Sequence, residues 1–194
     1  MKYSTLFGLA LLVASSVGFG YGYMGEIGRK KVAANKVAST QAPRSLPTGD
    51  DLPSVDAFLR QKGIIVATDD SVCSSHQLYG WHQAWTNKIV LCSKQIKAGT
   101  SSEQEYKALL EVTLNHEAVH VAQFCRRKDS GIPYLGVDAT KLYALPPSIQ
   151  SEIKKSNQIS NLQLIRSLSW RVEAEAVYYE TKPREVSRQL ALYC

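Results

Sequence analysis

The chain reads as an α+β protein in which a small antiparallel or mixed sheet packs on one long helix, followed by a mainly helical C-terminal half. Three observations predict this. Tyr106, Leu109, Leu110, Leu114, Val121 and Phe124 recur at helical intervals. Short runs rich in β-branched and aromatic residues, at 63–67, 79–82 and 88–92, come before that stretch. Beyond residue 147 the pattern is helical to the end of the chain.

Taken in order, Lys2 precedes a charge-free run that begins Leu6-Phe7-Gly8-Leu9-Ala10-Leu11-Leu12-Val13 and passes into Ala14-Ser15-Ser16. That is the layout of a secretory signal peptide with a small-residue cleavage site. The uncharged stretch continues to Gly25, long enough to span a bilayer, so residues 1–20 are a signal peptide or a membrane anchor. Either one exports the domain, leaving it periplasmic, extracellular or membrane-anchored, unless Arg29, Lys30 and Lys31 hold the C-terminal side in the cytoplasm. Residues 21–50 mix Gly, Lys, Ala and Pro without periodicity and read as a flexible linker. Residues 51–194, about 140 in number, suffice for one domain with its own core.

Within that domain, 54–62 reads as a short helix and 63–67 as the first strand. Residues 79–82 and 88–92 read as two more strands, with Thr86-Asn87 in the turn between them. Ser102 and Glu105 form a capping box that starts the long helix. Arg126, Arg127 and Lys128 suit its C-terminal dipole, and Gly131 and Pro133 stop it after about 25 residues. Residues 132–147 are rich in turn formers and carry Tyr134 and Tyr143, either of which could reach over a cleft. A short helix from Pro147 or Ser148, a longer one at 162–180 and a last one from Pro183 to Cys194 follow.

The long helix carries His116-Glu117-Ala118-Val119-His120 at its middle. Histidines four apart project from one helical face and can hold a single zinc ion, with Glu117 beside it to take a proton from water. A third ligand is needed. The chain has four histidines, and His76 and His82 both lie upstream of the motif. A carboxylate is therefore the candidate. Glu173 and Glu175 flank the apolar stripe Ile165, Leu168, Val172, Ala176, Tyr179 on opposite sides, so only one of them can reach a common metal.

These residues resemble the gluzincin metallopeptidases, whose zinc is held by the two histidines of HExxH and a glutamate on a later helix. Several such families carry that glutamate as E-x-x-A, which Glu173-Ala174-Glu175-Ala176 matches, although Val177 stands where many continue with Asp or Asn. The resemblance covers roughly residues 60–180 and includes the order of a strand ending Ile89-Val90-Leu91-Cys92, the motif helix, then the Glu-bearing helix. It implies a zincin-like fold with a strand ahead of the helix forming a sheet edge for extended substrate. It implies Zn2+ held by His116, His120 and Glu173, with Glu175 as the alternative. Glu117 would be the general base, and the substrate a peptide or protein. Tyr178, Tyr179, His82 and Arg171 are candidate donors to a developing oxyanion, and Asn115 or Gln123 could orient a histidine.

Cys73, Cys92, Cys125 and Cys194 are even in number and widely spaced, which in an exported protein implies two disulfides. Three pairings exist. Cys73 with Cys92 and Cys125 with Cys194 is favoured, because the second bond would tie the chain end to the motif helix. The net charge of +6 is spread without aromatic interleaving, which speaks against nucleic acid, and membrane association falls to the N-terminal segment. The function expected is an exported zinc-dependent hydrolase, a metallopeptidase. The alternative is a non-catalytic binding domain stabilised by zinc or disulfides, at the membrane or in the periplasm.

Overall fold

The computed structural model describes residues 52–75, 79–156 and 163–194, so the expected leader and linker, and His76, lie outside the described residues. The elements run α1 (Val55–Gln61), β1 (Ile65–Thr68), α2 (Ser71–Ser75), β2 (Gly80–Gln83), β3 (Lys88–Leu91), α3 (Ser93–Ala98), α4 (Glu103–Ser130), α5 (Ala139–Tyr143), α6 (Pro147–Ser156), α7 (Gln163–Tyr179) and α8 (Pro183–Tyr193). The protein is thus α+β, with a three-stranded mixed sheet and a mostly helical remainder.

The sheet order is β1-β3-β2, with β1 parallel and β2 antiparallel to β3. The strand ending in Leu91 is therefore central rather than an edge. Its composition explains this, because Ile89, Val90 and Leu91 are all buried, as a strand covered on both faces requires. The edge facing the long helix is β2. A 3-10 turn at Ala84–Thr86, closed by Asn87 at φ 48°, joins β2 to β3.

α4 starts where the capping box places it. The Ser102 hydroxyl accepts the Glu105 N–H at 3.1 Å, but the Glu105 carboxylate turns to the N–H and hydroxyl of Ser101, both at 2.7 Å, which displaces the box by one residue. The helix runs 28 residues and ends on Gly131, whose φ of 74° is the left-handed cap, with its N–H on Arg127 O. Around α4 pack β2 and β3, α7 and α8. Every residue from Asn115 to Gln123 is buried in consequence, including the whole motif. Ala118, Val119 and Ala122 join Ala174, Ala176, Val186 and Leu190 in the main core.

Both favoured disulfides are present, Cys73–Cys92 and Cys125–Cys194, across separations of 19 and 69 residues. In the chain-entropy account they restrict the unfolded chain by about 3 and about 4 kcal/mol. The second ties the chain end to α4, and Lys62 donates to the Cys194 carbonyl at 2.8 Å, fastening α1 to the same point. Two disulfides fit an oxidising, exported environment. No helix among the described residues is long and apolar enough to cross a membrane.

Candidate metal centre

Burying the middle of α4 on all sides leaves its polar side chains to find partners inside the protein. His116 and His120, one turn apart, have rings 4.9 Å apart and edge to face. Each ring is anchored through Nδ1. For His116 the partner is Glu180 Oε2 at 2.9 Å, and Glu180 is itself held by Asn115 Nδ2, which donates to the Glu180 carbonyl at 3.0 Å. For His120 the partner is Gln123 Oε1 at 2.8 Å. The Gln123 amide nitrogen donates to the Val172 carbonyl at 2.9 Å, which orients its oxygen toward the ring. Both Nδ1 atoms therefore face acceptors and carry a proton, which leaves each Nε2 as the atom that a metal would bind, displacing any second proton there.

Those two Nε2 atoms are buried and have no hydrogen-bond partner among the described residues. They converge on α7, where Glu173 lies with Oε2 3.6 Å from His116 Nε2 and Oε1 3.6 Å from His120 Nε2. That is too long for a hydrogen bond. Two ligands about 2.1 Å from a tetrahedral centre lie about 3.4 Å apart, close to the spacing found. His116, His120 and Glu173 are thus a buried group that could hold a metal ion. The donor set of two imidazoles and a carboxylate, with Nδ1 of each histidine bonded behind it, fits a divalent transition metal.

Glu175 is fully buried but turned the other way. Its carboxylate accepts the backbone N–H groups of Leu135 at 2.6 Å and of Gly136 and Val137 at 3.1 Å, and Arg171 Nε lies 3.8 Å away. It fastens the segment after α4. One α7 orientation serves both glutamates by sending them to opposite sides.

Glu117 faces the sheet. The backbone N–H of His82 donates to its carboxylate. Gly80 and His82 lie on one face of β2, which runs alongside α4 so that Gly80 sits over Thr113 and Glu117 and His82 over Phe124. A Cβ at Gly80 would stand 2.7 Å from Glu117 Oε1 and 2.7 Å from Thr113 Cγ2. Gly80→Ala is expected to cost about 1–3 kcal/mol of stability in a urea melt and to displace Glu117, since both neighbours are packed.

Burial pushes the Glu117 carboxyl up to about 7, with Glu173 adding to the rise and His116 opposing it. Burial alone would lower His116, but the carboxylates of Glu173 and Glu180 outweigh it and hold the imidazole well above its usual range. Burial keeps His120 low. Because Glu117 rises from 4.5 to about 7 on folding, its contribution is fully present below pH 4.5 and is lost as pH climbs through 7. The metal-free chain should lose stability on the order of 3 kcal/mol across that window. Urea midpoints taken in chelator below and above it should diverge in the wild type. Glu117→Gln removes this carboxylate's share, while His116 continues to act in the same sense above 6.5.

Of the four candidate oxyanion donors, His82 is the one set against the site, its ring edge-on to Phe124 and its imidazole held down to about 3 by burial and by His120. Arg171 donates to the Val137 carbonyl at 3.2 Å and covers the Tyr134 ring, so Tyr134 and Arg171 occupy each other. Tyr179 faces α8 through Gln189 Nε2 at 3.3 Å, and Tyr178 lies under Lys182. Gln123 orients a histidine directly, and Asn115 does so through Glu180. Glu180 itself was missed by sequence reading, although it falls seven residues after Glu173, two helical turns along the same face. A cavity of about 420 Å³ elsewhere, lined by Glu111, Asn115 and Arg184 among others, includes none of His116, Glu117, His120 or Glu173.

Comparison with curated proteins and with solved structures gives no match. Residues 53–194, most of the chain and all of the elements above, match the family described as a domain of unknown function, DUF8637, and the chain belongs to that family.

Proposed function

We propose that this protein is an exported zinc-dependent hydrolase with a zincin-like fold, a metallopeptidase of the gluzincin kind acting on peptides or proteins. The observation that carries the reading is the convergence of two partnerless Nε2 atoms on the two oxygens of one buried glutamate, with the HExxH glutamate beside them. His116, His120 and Glu173 would hold the zinc. What zinc supplies in such a place is Lewis acidity toward a carbonyl and toward water.

The remaining work belongs to the chain. Glu180 and Gln123 fix the imidazole tautomers, so both lone pairs stay aimed at the same point. Glu117, whose carboxyl lies at about 7, accepts a proton from the attacking water at one carboxylate oxygen and later gives it to the leaving amine. The His82 N–H and the close approach of Gly80 keep that carboxylate in place. The His82 imidazole, neutral at physiological pH, can donate one N–H toward a developing oxyanion.

A second reading rests on the burial of the ligands. His116, His120 and Glu173 are at most 7% exposed, as in closed structural sites, which would make zinc a stabiliser of a binding domain. Hydrolysis of an unfolded protein by the zinc-loaded full chain separates the two. Cleavage that stops with chelator and returns with zinc supports the hydrolase, and intact substrate under all conditions leaves the structural role.

A further inference from the structure

Trp85 is 92% exposed, on the 3-10 turn that follows β2. A lone exposed tryptophan needs no explanation. The turn that carries this one is pinned: Thr86 Oγ1 donates to the Gln83 carbonyl at 3.3 Å and contacts its side-chain oxygen at 3.1 Å, and Asn87 closes the turn. Its ring stands edge-on to Phe124 at 6.1 Å, and the His82 ring meets the same Phe124 at the same distance.

Phe124 lies four residues after His120, which continues the stripe His116, His120 along α4. Four helical residues rise about 6 Å, a little over one turn. The aromatic ledge therefore begins about one turn from the point on which the histidines and Glu173 converge. An extended peptide advances about 3.3 Å per residue, so a side chain one or two residues from a carbonyl at that point would come to rest on Phe124 and Trp85.

We propose that Trp85 and Phe124 form a subsite for one aromatic or large aliphatic side chain of the substrate, placed within two residues of the reacting carbonyl. This rests on the hydrolase reading and names the substrate preference of that same site. Packing such a side chain against the ledge these two rings form removes apolar surface from water and adds ring contacts, so discrimination of about tenfold over glycine is expected. Trp85 supplies the outer wall, and Phe124, partly buried, the floor.

The test is calorimetric titration of the zinc-loaded full chain with two blocked dipeptide hydroxamates, a phenylalanine compound (Phe-Gly) and a glycine compound (Gly-Gly), with vesicle binding measured alongside. The wild type should bind the phenylalanine compound about tenfold more tightly. In Trp85→Ser that ratio should fall below about threefold, and Trp85→Phe should restore most of it. Because Trp85 contributes almost nothing to the core, Trp85→Ser should keep its melting temperature and its zinc content. A ratio near one in the wild type, or an unchanged ratio in Trp85→Ser, overturns the subsite. If neither hydroxamate binds a chain shown to contain zinc, the hydrolase reading fails and the subsite with it. Lys128, whose ammonium lies 5.0 Å from the centre of the Phe124 ring, would also suit an anionic lipid. Loss of binding to phosphatidylcholine–phosphatidylglycerol vesicles in Trp85→Ser, with the hydroxamate ratio intact, would assign the ledge to membrane and overturn the proposal.

Discussion

Glu117→Gln is expected to lower peptide hydrolysis by roughly a thousandfold while the chain still binds zinc. Glutamine has the same outline, so the packing against Gly80 and Thr113 survives, and its oxygen can still accept the His82 N–H. It cannot take a proton from water. The two readings part here, because a zinc-stabilised binding domain has no turnover to lose. Measuring kcat/KM for one cleaved peptide beside zinc content makes the result unambiguous. A Glu117→Gln protein as active as the wild type would remove this carboxylate from the chemistry.

The second large effect separates two glutamates that lie two positions apart. Glu173→Ala removes a ligand and should weaken zinc binding by about a thousandfold or more. Glu175→Ala should leave zinc in place but cost about 3–5 kcal/mol of stability, because the N–H groups of Leu135, Gly136 and Val137 lose their acceptor inside the protein. Should that variant fail to fold, Glu175→Gln keeps an acceptor oxygen and allows the metal measurement. Zinc lost from the Glu175 variant and kept by the Glu173 variant would reverse the assignment.

Much of this arrangement was legible before any fold was in hand, and the limits have physical causes. α4 announced itself because its signals are local: a cap, a 3.6-residue period and a left-handed glycine. α2 and α3 gave no such signal. They are 5 and 6 residues long, too short for periodicity, and α3 is capped from a distance, with Asp69 accepting the Lys94 N–H at 3.0 Å and the Ser93 hydroxyl at 2.6 Å. α5 hid likewise inside a stretch that reads as loop, started by Asp138 on the Thr140 N–H. The parallel pairing of β1 with β3, which makes β3 central, is a tertiary choice that alternation alone does not reveal. In the site, the spacing of His116 and His120 placed both on one face, whereas the choice between Glu173 and Glu175 waited on the 135–137 segment that Glu175 fastens. The role of Glu180 stayed hidden although the expected helix 162–180 included it, because its partner, His116 Nδ1, lies 64 residues away on α4.

The most direct measurement is the zinc content of the purified full chain by mass spectrometry, after reconstitution and dialysis, beside His116→Ala. A three-ligand centre predicts about one zinc per wild-type chain and almost none in the variant. Wild-type protein without zinc, or a variant that holds as much as the wild type, would contradict the metal centre and the hydrolase built on it.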